Sequence, residues 1–484
     1  MNKISLFIIA FFIGCLTIAC DDDNFEMSPS QTLTFSSDTI RFDTLFSTVP
    51  SSTRSFWAFN KTGSGIRCTS VRQERGNQSG FRVNVDGAFL GQASGYAVSD
   101  IELRKKDSIR IFVEATFPNN YKVKPSEIED NLVFTLENGK QQKVNLNAFA
   151  WDCNIVRNLR IDKDTTLAAD TKPLVVYGPI EVAKGATLTL APGLTLYFHG
   201  NAGIDIHGRL VSNGTADAKV VLRGDRLDRM FDYLPYDRVS GQWRGIHFFG
   251  SSSGNSLRYL DLHSAMDAIL CDSVDICDTP NLSLANVTIH NCKGYGFAAF
   301  HSNISMANTL ISNTLADCLY LYRSQANVTF STFAQFYPFD ANRGLAVQLS
   351  DSKASFTNCL VTGYDEDVFL TDSLDFSFDH SIVRTIIEDS VVAAEKFPMS
   401  VLETPKDSLN GEMHFKLLDI DNLVYDFHLD SLSTAIGKAL PLPSLTIDRD
   451  GNRRSALTPS IGCYEWIAPE APSAAPFRAA RRRR

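Results

Sequence analysis

The row Leu282-Ser-Leu-Ala-Asn-Val-Thr-Ile-His290 decides the fold of this chain. It returns from Ile304 as Ile-Ser-Met-Ala-Asn-Thr-Leu-Ile-Ser, from Ala354 as Ala-Ser-Phe-Thr-Asn-Cys-Leu-Val-Thr, and from Phe376 as Phe-Ser-Phe-Asp-His-Ser-Ile-Val-Arg. The steps between rows are 22, 50 and 22 residues, and the middle step fits two turns plus an insertion near residues 336–342. A fixed period with strand-like rows predicts a solenoid of stacked coils.

Alternation within each row predicts where its asparagine points. Leu282 and Asn286 share one face of a strand, and the apolar residues of that face must point into the coil. We therefore expect Asn286, Asn308 and Asn358 to point inward and to stack, because stacked amides satisfy buried polar groups. The pattern resembles the asparagine ladder of right-handed parallel β-helices of the pectate-lyase type. His380 in the last row predicts that the ladder ends there.

A separate all-β module is predicted ahead of the solenoid, over residues 32–152. Runs such as Phe81–Val85 and Ile109–Phe117 alternate apolar and polar residues or are rich in β-branched and aromatic ones. Asn138-Gly139 lies between two further runs and is a strong hairpin signal. Several short strands over this length fit an Ig-like β-sandwich. The segment resembles the Ig-like modules of Bacteroidetes surface proteins.

The C-terminal part contains Ile447-Asp-Arg-Asp-Gly-Asn-Arg-Arg454 and then Ile461-Gly-Cys-Tyr-Glu465. This pair resembles the closing segment of a large group of bacterial β-helix proteins, although Ser460 and Cys463 replace the usual Asp and Ala. The predicted fold class is all-β, an Ig-like β-sandwich followed by a right-handed parallel β-helix. The predicted order is a signal peptide (1–19), a polar tether (20–31), the sandwich (32–152), the β-helix (153–390), a closing segment (391–467) and a disordered tail (468–484).

The N-terminus predicts a cellular address. An apolar run, Ile4–Ile13, is too short to cross a bilayer and suits a signal peptide. The following Leu16-Thr-Ile-Ala-Cys20 resembles the lipobox of bacterial lipoproteins, in which Cys20 would carry the lipid; the alternative is an ordinary cleaved signal with a chance cysteine. Asp21–Asp23 resembles the surface-export signal of Bacteroidetes lipoproteins, or is a solvated tether. The resemblance implies an outer-membrane lipoprotein exposed at the cell surface, with the membrane as a partner.

Composition limits the function classes. The net charge of −9 argues against nucleic acid as a partner, because binding to phosphates needs positive charge. Eight cysteines remain after Cys15 and Cys20, without metal-site spacing, and most are expected to be buried thiols. Cys271 and Cys277 flank an acidic loop and are close enough in sequence to pair.

A loop rich in aromatic, arginine and aspartate residues, Arg226–Arg238, interrupts the coils and is followed by Trp243. Aromatic faces and charged groups bind sugars, so the loop is a candidate glycan site; the alternative is that it packs against the protein. Alternation also turns further aromatic residues outward. The candidate glycan-binding residues are Tyr233, Tyr236, Arg238, Trp243, Tyr320, Tyr322 and Phe369.

No catalytic motif stands out. Glycoside hydrolysis needs paired carboxylates, and the densest acidic cluster is Asp261, Asp267, Asp272, Asp275 and Asp278. A solvated or Ca²⁺-binding loop is the favoured interpretation, with Asp272, Asp275 and Asp278 as weak Ca²⁺ ligands and no other metal or cofactor. The outward positions of the repeated row are small and almost uncharged. Four histidines in strand-like rows are interpreted as structural: His199, His247, His263 and His290.

These observations favour a lipid-anchored cell-envelope protein that binds a polysaccharide or an envelope protein as a scaffold and is not an enzyme. The alternative is a polysaccharide lyase or glycoside hydrolase acting on a surface glycan. A depolymerisation screen separates the two hypotheses. A structural check is whether outward carboxylates lie near an Arg or Lys over a groove.

Overall fold

The computed structural model describes residues 24–231, 233–274, 278–365, 367–370, 375–404 and 408–468. Strands make up 47% of it and helices 4%, which confirms the all-β class. The chain divides into two compact units. One runs to Cys153 and includes Leu227–Met230, and the other comprises Asn154–Arg226 and the chain from Phe231 onward.

The first unit is a β-sandwich whose two sheets share one core. Buried residues from both sheets, such as Phe56 and Leu146, belong to a single apolar cluster. The hairpin expected at Asn138-Gly139 is present, with Gly139 at φ 83°. One sheet contains Thr34–Phe35, Arg54–Phe59, Ser108–Ala115, Phe81–Val85 and Ala88–Leu90. The other contains Thr39–Phe46, Gln141–Trp151, Ser126–Leu136, Ile66–Gln73, Ala97–Val98 and Ile101–Leu103.

The second unit is a parallel β-helix in which successive strands of each coil enter three sheets, named A, B and C here. Sheet A contains Asn154–Val156, Leu174–Val176, Thr195–Phe198, Val220–Gly224, Leu260–His263, Thr288–Cys292, Leu310–Thr314, Thr332–Gln335, Leu360–Gly363, Ile382–Arg384 and Val401–Glu403. Sheet B contains Leu159–Ile161, Pro179–Val182, Gly203–Ile206, Ile246–Phe248, Ile269–Cys271, Phe297–Phe300, Leu319–Tyr322, Val347–Ser350 and Val368–Leu370. Sheet C contains Thr165–Leu167, Thr187–Leu190, Arg209–Asn213, Asn255–Arg258, Leu282–Ala285, Asn303–Ala307, Gln325–Thr329, Lys353–Thr357 and Asp375–Asp379.

The repeated row forms the strands of sheet C. Leu282 pairs with Ile304, and Ala354 pairs with Phe376, in the register that the sequence predicts. The 50-residue step contains one further strand of sheet C, Gln325–Thr329, which pairs with the sheet C strands on either side of it. Residues of the apolar face, together with their counterparts from sheets A and B, form one continuous interior cluster.

The prediction that the asparagines of the row point inward is wrong, because these side chains do not stack inside the coil. Asn286, Asn308 and Asn358 adopt left-handed φ values of 57°, 49° and 59°, so the alternation of the strand ends at each of them. Asn308 Nδ2 donates to Asn286 Oδ1 at 3.0 Å and to the carbonyl of Ile447 at 2.8 Å. Asn358 instead exchanges two hydrogen bonds with the backbone of Leu440. These side chains therefore face the C-terminal segment on the outside of the coil.

Hydroxyl groups stack inside instead, one residue after the left-handed corner. Ser331 Oγ accepts from the backbone of Thr309 at 3.2 Å, and Ser381 Oγ accepts from Cys359 at 3.0 Å. Ser400 continues this series by accepting from Ser381. A second series at another corner runs through Ser302, Ser324 and Ser352. Each hydroxyl satisfies a buried N–H of the neighbouring coil.

The C-terminal motif packs on the outer face of sheet A. Asp448 is fully buried and accepts backbone hydrogen bonds from Asp450, Asn452 and Glu465. Arg454 lies 3.9 Å from the ring centroid of Phe330 and donates to Asn308 and to carbonyls near Gly462. A separate apolar cluster joins outward residues of sheet A to this segment.

Short elements complete the unit. The helices are Ser390–Lys396 and Ser408–Met413, and sheet A continues beyond the first of them to Val401–Glu403. The strands Phe415–Asp419 and Val424–Leu429 form an antiparallel hairpin. Arg229–Phe231 pairs with Leu234–Pro235. The short 3₁₀ turns are Gly76–Gln78, Gln92–Ser94 and Tyr236–Arg238.

Candidate functional site

The outer face of sheet A brings two histidines and an aspartate together. Leu260 and Leu262 are buried in the interior, so Asp261 and His263 of the same strand point outward. The register places His263 beside His290 on the next strand. The three side chains are therefore neighbours across one strand pair.

The cluster has a defined geometry. His290 Nε2 lies 3.4 Å from Asp261 Oδ1, and the rings of His263 and His290 stack with centroids 4.8 Å apart. His263 Nδ1 is 3.0 Å from Ser264 Oγ, which donates to the carbonyl of Asp237 at 2.9 Å. The orientation of the His263 ring is thus set by a hydrogen-bonded chain behind it.

The environment sets the charges of this cluster. Burial, followed by the charge of His290, lowers the pKa of His263 to about 3, so this imidazole is neutral at physiological pH. Burial opposes ionisation of Asp261. Its contact with His290 and the positive charge of Arg449 outweigh that effect and hold its pKa well below the usual range.

A second polar group lies on the hairpin and the C-terminal motif. His428 is 3.0 Å from Asp450 Oδ2 and also bonds Asp426, while its ring stacks on Tyr464 at 4.0 Å. The hydrogen bond with Asp450 raises the pKa of His428 although burial opposes it. The same bond lowers the pKa of Asp450 to about 2. This histidine keeps its proton more readily than His263 does.

These groups surround one cavity of about 370 Å³ within the second unit. The hairpin residues Leu423–His428, the turn at Asp237 and Arg238, and Tyr464 line it together with the outward side chains of sheet A. Arg238 Nη1 donates to the carbonyl of Asn422, which joins the turn to the hairpin. The volume lies at the lower end of the range for small-molecule sites, about 300–1,000 Å³.

Several buried polar atoms of the lining have no hydrogen-bond partner among the described residues: Ser312 Oγ, Asn313 Oδ1 and the hydroxyl of Tyr425. Ser312 and Asn313 are 1% and 2% exposed. An unsatisfied buried polar group costs about 1–3 kcal/mol, so three of them around one cavity call for a polar partner. Asn313 also has a left-handed φ of 53° next to the site.

Of the glycan-binding residues predicted in and after the loop, only Arg238 lines the cavity. Tyr236 lies beneath the guanidinium of Arg226 at 4.3 Å. Tyr233 is 55% exposed and stacks on Phe231 away from the cavity lining. The prediction that Trp243 binds a glycan is wrong. Its side chain is 1% exposed, stacks on Phe198 at 4.2 Å and donates to the carbonyl of His263. Its ring belongs to the core and offers no face to a ligand.

The second predicted strip lies on sheet B. Tyr320 stacks on Tyr295 at 5.4 Å, and Phe300 contacts both Tyr320 and Tyr322. Phe369 is 49% exposed but is separated from Tyr320 by the strand that carries Gln348. The tyrosines form an aromatic patch that Phe369 does not join directly.

The acidic residues of the predicted cluster separate in the structure. Asp261 belongs to the cavity, and Asp267 accepts from the backbone of Tyr295. Asp272 pairs with His247 at 2.8 Å, Asp278 is exposed, and Asp275 lies outside the described residues. Because Asp275 is outside the described residues, the weak Ca²⁺ site at Asp272, Asp275 and Asp278 stays a prediction. Cys277 and the lipobox with Cys20 also fall outside the described ranges.

The sequence predicts structural roles for His263 and His290 and gives no partner for either. They are 27 residues apart, five more than the repeat, so alignment at a period of 22 does not place them in one row. His428, Asp450 and Tyr425 come from segments distant in sequence, and no local pattern marks them. The signal that could have found the pair is outward alternation in Leu260–His263 and Thr288–Cys292, the two consecutive strands of sheet A.

No family model matches this sequence, and a search of curated proteins finds no match. Among solved structures, a family 123 glycoside hydrolase from Clostridium perfringens aligns over 28% of this chain and 31% of that one, at 8% identity and a TM-score of 0.19. The ASH / PapD-like domain 7 of human CEP192 aligns over 26% of this chain and 90% of that one, at 9% identity and a TM-score of 0.18. Similarities this weak carry no argument about function.

Proposed function

We propose that this chain is a lipid-anchored cell-envelope protein that binds a glycan in the cavity on the outer face of sheet A. The observation that carries the proposal is a polar cavity on that face, whose lining residues include Ser312, Asn313 and Tyr425. Sugars present many hydroxyl groups, which both donate and accept hydrogen bonds. The ring of Tyr464 and the charged groups of Asp426 and His428 complete a lining suited to such a ligand.

Electrostatics favour binding over acid-catalysed hydrolysis. A glycosidase needs one carboxyl group whose pKa is raised, so that it can protonate the leaving oxygen. Asp261 and Asp426 both line the cavity, and the pKa of each is lowered. Ionised carboxylates accept hydrogen bonds from sugar hydroxyls but have no proton to give.

The test is binding of soluble envelope polysaccharides and their oligosaccharides to the purified chain, measured by calorimetry. Tyr425→Phe removes one hydroxyl at the cavity and is expected to weaken binding by about 2- to 12-fold, the value of one neutral hydrogen bond. Tyr320→Phe removes a hydroxyl from the patch on sheet B and is the matched control. Equal losses in both variants, or binding to none of the glycans, would contradict the proposal.

The alternative is an enzyme that acts on a glycan in the same cavity. The observation that favours it is His428, whose raised pKa lets it hold a proton near Asp426 and Arg238. A depolymerisation screen on acidic and neutral polysaccharides tests this alternative. Turnover that is abolished by His428→Gln supports the enzyme, and intact polysaccharide after long incubation supports binding alone.

The anchor is a proposal that rests on the lipobox. Cys20 would carry the lipid, and the acidic run after it would direct the protein to the cell surface. Three acyl chains at about 0.8 kcal/mol per buried CH₂ would make the anchor effectively permanent. Among the residues that the structure describes, no helix has the length and apolar character needed to cross a membrane. Metabolic labelling with a fatty-acid analogue should mark the wild type and leave Cys20→Ser unmarked.

A further inference from the structure

The cluster on sheet A has a property that glycan binding alone does not explain. Asp261, His263 and His290 each offer a ligand atom, and the three atoms all lie within 4.8 Å of one another. We propose that these residues bind a divalent transition-metal ion, with zinc as the best match, and leave a further coordination position open to the cavity. The proposal deepens the glycan-binding function at the same cavity, but metal binding is measured without any glycan.

The separation of His290 and Asp261 fits a shared ion better than a direct bond. Their nearest atoms are 3.4 Å apart, whereas a charge-assisted hydrogen bond is about 2.7–2.9 Å long. Two ligand atoms in a tetrahedral zinc site, with bonds of about 2.0–2.2 Å, are about 3.4 Å from each other. These two side chains stand at the distance that a common ion requires, whereas the His263 ring, which stacks on His290, would have to turn to bind the same ion.

The surroundings of His263 are those of a metal ligand. Its Nδ1 is held by Ser264 Oγ and through it by the carbonyl of Asp237, so the other ring nitrogen is the one left to coordinate. Asp261 supplies the negative charge.

Neighbouring cations are already neutralised. Arg449 donates to Thr288, the register partner of Asp261, and pairs with Asp450. Arg223, on the preceding strand of sheet A, pairs with the carboxylate of Asp237. Arg223 and Arg449 thus each have a carboxylate partner, which limits their repulsion of a bound ion, although Asp450 is shared with His428.

The donor set selects the metal. Two imidazole nitrogens and one carboxylate oxygen suit zinc and related transition metals, whereas Ca²⁺ needs six to eight oxygen ligands. Three protein ligands leave a tetrahedral ion with one free position. Asp261, His263 and His290 all line the cavity, together with Ser312 and Asn313. A glycan hydroxyl or carboxylate could occupy the free position.

The experiment is titration of the metal-free full chain with Zn²⁺, followed by calorimetry and metal analysis, with Ca²⁺ as a second probe. We expect one zinc per chain and no competition from Ca²⁺. His290→Gln should weaken zinc binding by about 10- to 100-fold or more. His247→Gln is the matched control, because His247 and His290 have side-chain exposures of 28% and 29% and each pairs with one aspartate. It should bind zinc like the wild type.

Folding of each variant is checked by its melting curve, and Asp261→Asn replaces His290→Gln if the latter does not fold. Co²⁺ in the wild type should give the visible absorption of a tetrahedral site, which a structural role for the histidines would not produce. Absence of stoichiometric zinc, or equal losses in His290→Gln and His247→Gln, overturns the proposal. Zinc binding without glycan binding supports the metal site and refutes the glycan proposal, and the reverse result does the opposite.

Discussion

The outer faces of sheets A and C follow the same strand alternation, yet they differ in what covers them. On sheet C the outward residues of the repeated row are small and polar: Ser283 and Ser305 are half-buried, and Ser355 is exposed. On sheet A the outward residues are charged at one end and apolar further along, and strands such as Leu310–Thr314 are buried on both faces. Alternation thus determines the interior of a β-helix, while the segments that cover an outer face determine where a cavity forms.

The largest expected effect separates the covered face from solvent-exposed charge. Arg454 is 7% exposed and donates to Asn308 and to three carbonyls of the closing segment. Arg454→Ala removes the side-chain donor to Asn308 and to the carbonyls of Ser460 and Gly462, so the free energy of unfolding should fall by about 3–5 kcal/mol. Arg323→Ala, which removes an exposed ion pair, should cost less than about 1 kcal/mol. Denaturant unfolding measures both free energies. Similar losses in the two variants would contradict a stabilising role for the hydrogen bonds of Arg454.

A pair of alanine substitutions compares the two faces directly. Leu360 points outward from sheet A but is fully buried against the C-terminal segment. Leu360→Ala should therefore lower the free energy of unfolding by about 2–5 kcal/mol, as for a core leucine. Ser355→Ala on sheet C should change it by less than about 0.5 kcal/mol. An equally small effect at both positions would mean that the outer face of sheet A is not covered as described.

Smaller effects are expected at the interior hydroxyl series. Ser331 Oγ accepts from the backbone N–H of Thr309 inside the coil. Ser331→Ala should cost about 1–3 kcal/mol, because the N–H stays buried without an acceptor. Ser377→Ala, on the outer face of sheet C, is the control and should be nearly neutral. Thermal unfolding that does not distinguish the two variants would argue against the hydroxyl series.

The smallest effect concerns pH and the hairpin that covers sheet A. Because the pKa of His428 is raised above 6.5, its value in the unfolded chain, its stabilising contribution is complete below about pH 6.5 and is lost as the pH rises through the folded pKa. Asp450, with a pKa lowered to about 2, contributes above about pH 3.8 and loses this only in strong acid.

His428→Gln should remove the decline of stability on the alkaline side. The change should stay below about 1 kcal/mol, because the side chain is 42% exposed and solvent screens its ion pairs. Melting temperatures between pH 6 and 9 measure the slope in wild type and variant. An unchanged slope in His428→Gln would assign the dependence to another group.

Much of the fold could be predicted, because residues close in sequence determine which side chains point into the coil. The row at Leu282 and Ile304 gives the strand, its inward face and its register from residues close in sequence. The orientation of Asn308 could not be predicted, since its left-handed φ breaks the alternation and its partner, Ile447, is 139 residues away. The closing motif at Arg454 was recognised by resemblance, but its position on sheet A depends on tertiary packing.

The candidate site was predictable only in part. Arg238 was named from its loop, and His263 and His290 were noticed without their pairing. Trp243 was misplaced because an aromatic residue beside a polar loop reads the same whether it faces a ligand or the core. The remaining groups come from the hairpin and the closing motif, whose approach to sheet A has no signature in any short stretch of sequence.

The proposed ligand site lies on the outer face of sheet A. Anomalous diffraction at the zinc edge, from crystals of the protein grown with Zn²⁺, tests it most directly. We expect one strong peak about 2.0–2.2 Å from ligand atoms of Asp261, His263 and His290. No peak at that position, or a peak only elsewhere, as between His247 and Asp272, would contradict it.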